Sequence, residues 1–308
     1  MRWRRGSRLK LVTEAEAPAS TRAIFDEVRH SLGLPKVPLL YQAYGAYPEF
    51  LEIHWQVFRP AVQSRQFFSL GARLAAESYT RAHNYFDIGN LASRELLSDG
   101  TAGLSLAQVL DYYQYLDPLL LLIVATQAQA FEGPVGSAQI TPQPAQHANF
   151  PVSPYLLSDE EATAAVHRIW DGRRRLLDLA LISDENRAMA CWAGFYQAYW
   201  RALRELMRSP LYTDCQYRLS ESAFGLAREL PVKLETGTQQ LLEAGLSDEE
   251  MASLASINEA FGQALSGLIL DITFARVACE GGTHREGSTR SLSIAEPAQP
   301  ADSSTHAA

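Results

Sequence analysis

Cysteine is scarce: Cys191, Cys215 and Cys279 are the three in 308 residues, and no C-x-x-C occurs. They are too few and too scattered for a disulfide framework, and they withhold the paired thiols that peroxide-reducing chemistry needs. Basic charge is also in deficit. Lys and Arg number 27 against 35 Asp and Glu, a formal net charge of −8, so the surface has no overall attraction for phosphate backbones or anionic lipid. Nucleic acid is not an expected partner. Long apolar runs are missing as well: the longest, Leu116 to Ala125, contains Asp117 and is half a membrane span, and the basic opening stretch leads into no signal-peptide core before Glu14. A soluble, cytoplasmic chain with no membrane partner is expected. Glycine-rich phosphate loops and G-x-S-x-G elbows are absent, and the seven histidines form no H-E-x-x-H or equivalent set. No metal is expected.

What is present is 47% hydrophobic residues arranged at helical spacing. Apolar positions recur at three and four, as in Ile24, Val28, Leu32 and in Trp192, Phe195, Tyr199, Leu203, while period-two alternation is nearly absent. The expected class is all-α. Ser20 opens a run to Leu32 that stops at Gly33, and Ser158 with Glu161 and Ser247 with Glu250 read as capping boxes. Tyr41, Tyr44, Tyr47, Phe50 and Trp55 are spaced as a helix face, for which core packing is the ordinary explanation.

The chain also repeats itself. Shifted by 145 positions, Ile24 to Asn84 aligns without a gap on Ile169 to Glu229, with identities at Ile24/Ile169, Arg29/Arg174, Phe50/Phe195, Trp55/Trp200, Arg59/Arg204 and Arg73/Arg218. Further on the shift becomes 148, pairing Ala130, Glu132 and Gly133 with Ala278, Glu280 and Gly281. The reading is an internally duplicated helical pseudo-dimer of two copies of about 115 residues. Its parts are a first repeat at 18–133, a Pro/Gly-rich linker at 134–154 that looks unstructured by composition, a second repeat at 155–281 and a disordered tail at 282–308.

A duplication of this kind places a ligand site at the seam, and a catalyst built there breaks the match between copies. Leu39 aligns with Asp184 and Pro38 with Ser183, so a Ser-Asp pair in the second copy replaces an apolar pair in the first. The pair stands before what reads as one long helix, Glu185 to Met207. Helix capping is one reading of it, and a carboxylate that polarises a water as general base is the other. Asp117, followed by Pro118 and an apolar run, reads as an N-cap with proline at the first helical position. Asp271 lies inside an apolar run against Ile123 at the 148 shift, and calls for an exposed setting or a buried partner.

The sequence resembles the group I 2-haloacid dehalogenases, the DehI type, over roughly residues 18–281. The likeness rests on the duplicated body, on the stretch from Thr21 to Trp55, on Glu77 to Phe86 and on Ile182 to Trp192. The resemblance implies an all-helical pseudo-dimer, usually a homodimer, that removes halide from 2-haloalkanoic acids of either configuration without a cofactor. In it an aspartate of the second copy activates water for direct displacement at C2, with inversion and no ester intermediate.

Carried over by motif, that aspartate is Asp184 and the neighbouring serine is Ser183. The family's water-holding asparagine falls on Asp117, an Asp where the family has Asn, in Tyr115-Leu116-Asp117-Pro118. An ionised Asp117 beside Asp184 and a substrate carboxylate would crowd three negative charges. The aromatic pocket lining falls on Leu39, Tyr41 and Gln42 in the first copy and on Phe261 and Leu265 in the second, of which Tyr41 and Phe261 keep aromatic character. The carboxylate is expected to meet backbone N–H groups at the nearby helix start, aided by an arginine. The alternative is a non-catalytic or altered-substrate relative acting as a helical binding or scaffold protein.

Overall fold

Ser64 and Ser209 stand 145 positions apart, and each accepts the backbone N–H of the residue three further on at 3.2 Å. Each thereby satisfies one of the donors that a helix start leaves orphaned. In the computed structural model, which describes residues 9–93, 97, 103–137, 143–145, 147–177 and 181–283, eleven helices are found among the described residues, with two isolated β-bridges and no strand.

The first half carries α1 (Ala19–Leu32), α2 (Leu39–Tyr44), α3 (Pro48–Val62), α4 (Arg65–Tyr85) and α5 (Leu106–Glu132). The second carries α6 (Ala164–Leu177), α7 (Asp184–Met189), α8 (Ala193–Leu206), α9 (Pro210–Ala227), α10 (Thr238–Glu243) and α11 (Asp248–Glu280). Shifted by 145, the bounds of α1 and α2 fall on those of α6 and α7, and α3 and α4 begin where α8 and α9 begin. α5 and α11 end 148 positions apart.

α5 and α11 form the centre. Leu116 to Gln127 and Leu265 to Ala275 are buried without interruption, the pattern of helices enclosed on every side. α4 and α9 flank both. Two short helices cross between the halves: α2 packs on α11, and α7 packs on α5. The start of α7, and with it Asp184, is thus brought against a helix of the other half. α11 is long and apolar enough to cross a membrane by length and composition, with 67% of its apolar window buried inside the fold.

The structure departs from the sequence reading at several helix ends. α1 begins at Ala19 after Pro18 rather than after Ser20, and it closes as expected on Gly33 in the left-handed conformation, φ 66°. There a Cβ would lie 1.9 Å from the Ala148 carbonyl oxygen, so only glycine fits. The Ser158–Glu161 bonds form, but they close a turn, and α6 starts later, at Ala164. The helix expected from Glu185 to Met207 is two helices. α7 ends at Met189 and α8 begins at Ala193, and the chain turns through Ala190 to Trp192 between them.

Asp117 is not an N-cap. It lies within α5, which is capped by Ser105 in a full capping box and runs through Pro118. That proline removes the N–H that would bond the Gln114 carbonyl, and burial of the flanking leucines holds the helix together across it. The linker, read as unstructured, is laced to the body where it is described. Val135 and Leu234 exchange backbone bonds, Ala145 N–H donates to Gln63, and Phe150 N–H donates to Gly33. Proline and glycine leave few internal backbone partners, and the body supplies them.

Candidate active site

A cavity of about 640 Å³ opens where α2 and α7 approach the central pair. Lys36 to Leu40 and Tyr112, Tyr113, Leu116, Asp117 and Leu120 line it from the first half, Leu181, Ser183 to Glu185 and residues of α9 and α11 from the second, and Ser153, Pro154 and Leu156 from the stretch between the halves. Of the residues singled out in the sequence, Leu39, Asp117, Ser183, Asp184, Phe261 and Leu265 are on its wall.

Tyr41 and Gln42 are not on that wall. Tyr41 is fully buried, edge-on to Tyr44, His54 and Trp55, and the Gln42 side-chain amide donates to the Val37 carbonyl at 2.9 Å. A helix as short as α2 shows one narrow face to the cavity, and that face carries Leu39 and Leu40.

Asp184 is the first residue of α7, yet its side chain serves no cap. Its Oδ2 accepts a hydrogen bond from Lys36 Nζ at 3.0 Å. Ser183 holds the N-cap position without bonding a backbone N–H; its Oγ accepts from the Asn186 side-chain amide at 2.9 Å, and Asn186 Oδ1 in turn accepts from the Tyr196 hydroxyl at 3.0 Å. This relay fixes the start of a helix only six residues long, too short to develop much dipole.

The expected arginine is absent from the wall. Arg187 donates to the Leu157 carbonyl and to Asp159, and Arg173 is buried elsewhere, so Lys36 is the one cation among the described lining residues. The signal for Lys36 was in the sequence: its counterpart at the 145 shift is Leu181, the mirror of the Leu39–Asp184 mismatch. The same rule marks Glu185, whose counterpart is Leu40.

Glu185 and Asp117 face each other across the inner wall. Both Asp117 oxygens and Glu185 Oε2 are buried without a hydrogen-bond partner. Burial, and then the charge of Glu185, holds the Asp117 carboxyl well above the ordinary carboxylate range, and burial likewise pushes Glu185 up. The pair therefore keeps a proton where two bare charges would repel. Burial and the nearby carboxylates also raise the Tyr112 and Tyr113 hydroxyls, which stay neutral donors.

The retained proton has a consequence for stability. A carboxyl raised in the folded state contributes stability in full below its unfolded value, near 4, and loses it as pH rises through the folded value. Asp117→Asn removes the Asp117 share of that dependence, while burial still raises Glu185. In melting curves taken between about pH 5 and about pH 8, the Tm of the variant relative to wild type is expected to climb with pH; a constant difference would mean that the pair holds no extra proton.

Asp271, the other buried acid, has its partner. Arg173 donates to its carboxylate, as does Tyr199, and the guanidinium lies 5.0 Å from the ring centre of Trp200 and 5.5 Å from that of Tyr196. No group of three His, Cys, Asp or Glu among the described residues is placed to hold a metal ion.

Residues 35–186 match the family model described as halocarboxylic acid dehydrogenase DehI. The matched span contains Lys36, Leu39, Asp117, Ser183 and Asp184. The chain is 23% identical to an (R)-2-haloacid dehalogenase of Pseudomonas putida over 274 residues, 86% of this chain and 91% of the relative. It is 22% identical to an (R)-2-haloacid dehalogenase of Rhizobium sp. (strain NHG3), over 72% of this chain and 88% of the relative. Among solved structures, a D-2-haloacid dehalogenase mutant in complex with D-2-CPA superposes with a TM-score of 0.80 at 21% identity, over 89% of this chain and 97% of that one. A D-2-haloacid dehalogenase in complex with L-LA superposes equally well, with a TM-score of 0.80, at 21% identity and over the same shares of the two chains. At that identity the likeness is one of fold.

Proposed function

The chain belongs to the group I 2-haloacid dehalogenase family, and from this we propose that it replaces halide by hydroxyl at C2 of a small 2-haloalkanoic acid. The observation that carries the reading is the Asp184 carboxylate on the wall of a largely apolar cavity, with a cation 3.0 Å away. In this reading Asp184 takes a proton from a water as the water oxygen attacks C2. The carbon–halogen bond breaks with its electron pair, and halide leaves from the opposite face. Leu39, Leu116, Leu265 and Phe261 enclose the alkyl part, and the neutral Tyr112 and Tyr113 hydroxyls offer hydrogen bonds to the departing anion.

The duplicated body fits this assignment. The matched helix bounds support two copies of one unit, with the base in the second copy and the lysine in the first. The resemblance implied that both configurations are accepted, while the two curated relatives are named for the (R) form. We therefore take (R)-2-haloacids as the primary substrates.

The test is a single turnover of (R)-2-chloropropionate in ¹⁸O-labelled water, with the (S) enantiomer run alongside. Chloride release with (S)-lactate as product, carrying the label from the first turnover, is the expected result. Retention of configuration, or unlabelled product with label left in Asp184, would replace direct displacement by an ester route.

A further inference from the structure

We infer that Lys36 is the group that recognises the substrate's carboxylate, and that its bond to Asp184 holds the base engaged until an anion enters the cavity. The inference rests on the reading of Asp184 as the base.

Lys36 is the one cation among the described lining residues, while Asp117, Asp184 and Glu185 are all acids. An anion entering this cavity has a single positively charged side chain among the described lining residues to turn to. The lysine and Asp184 side chains are 36% and 23% exposed, so their ion pair is solvated, weak and able to exchange partners. An ammonium has three donors, of which one is used here.

The short segment carrying Lys36, between α1 and α2, is pinned on its far side. Val37 N–H donates to the Glu14 carboxylate at 3.0 Å, and the Val37 carbonyl accepts from Gln42 at 2.9 Å. The stem is fixed while the four-carbon side chain swings. Nothing in the fold requires a cation at this position, since the matching place in the other half is Leu181, 44% exposed.

The consequence is selectivity by charge. A carboxylate draws the ammonium away from Asp184 Oδ2 and frees that oxygen to take the proton of water. A neutral analogue leaves the pair closed.

Calorimetric titration of the full chain with isobutyrate, and with isobutyramide as its neutral counterpart, tests this without turnover. Isobutyrate is expected to bind Lys36→Met at least about tenfold more weakly than wild type, the cost of losing one charge-assisted hydrogen bond, and to bind Lys36→Arg nearly as well as wild type. Asp184→Asn is expected to bind it several-fold more tightly, because the ammonium no longer has a charged rival. Isobutyramide should not distinguish wild type from Lys36→Met.

Equal isobutyrate affinity in wild type and Lys36→Met, or no tightening in Asp184→Asn, overturns the inference. If the wild type releases no halide from any haloacid but this pattern holds, Lys36 keeps its role and the hydrolytic reading falls. Halide release with the KM for 2-chloropropionate unmoved in Lys36→Met leaves the hydrolysis standing and removes Lys36.

Discussion

Asp184→Asn is expected to lower halide release from 2-chloropropionate by about a thousandfold, within the range that a positioned general base contributes. Asparagine keeps the shape of the side chain and an oxygen that accepts from Lys36, while losing the ability to take a proton from water. The fold has little reason to respond. The Asp184 side chain caps no helix, and its one bond is the partly exposed pair with Lys36. The measurement is chloride release from each enantiomer at saturating substrate, with the melting temperature as control. An unchanged rate at an unchanged Tm would take Asp184 out of the mechanism. Asp117→Asn, at another point of the same cavity wall, makes the useful contrast: its amide replaces a carboxyl that burial already holds protonated, and it should retain most of the activity.

Asp271→Ala carries the largest expected effect on stability. Arg173 is fully buried, and Asp271 is the carboxylate that neutralises it. Removing one partner of a buried pair costs about 3–5 kcal/mol, because the remaining charge stays in a medium that solvates it poorly. For a chain of this size that corresponds to a fall in Tm of about 10 °C. Replacing both partners, as in Arg173→Met with Asp271→Leu, is expected to recover most of the loss, since two apolar side chains need no desolvation. Calorimetric melts of the three proteins decide it. A single variant that melts with the wild type would mean that water reaches the guanidinium.

The same pair shows where the sequence was legible. An acid within the apolar run of α11 required either an outward turn or a buried partner, and the sequence could state that requirement but not the answer. Arg173 lies 98 positions away, on α6, and only packing joins them. Tyr41 shows the opposite case. Its spacing with Tyr44, Phe50 and Trp55 pointed to core packing, which is where it lies, whereas the resemblance put it in the pocket. Asp117 misled at the local level: an Asp-Pro pair before an apolar run has the chemistry of a helix start, yet burial on all sides of α5 carried the helix through it.

The sequence by itself determined the helical class, a few helix ends such as Gly33 after α1 and Ser247 before α11, and the mismatch between the two halves at Asp184. Those follow from local rules, because apolar spacing, caps and a repeat in register act over a few residues or are visible by comparison along the chain. Tertiary structure alone decided which mismatches face one another. Lys36 and Asp184 sit on segments that belong to different halves, and Asp117 and Glu185 on helices that meet only when α7 packs on α5. Whether those charges attract, repel or retain a proton depends on distance and on exclusion of water, and both exist only once the halves have closed on each other.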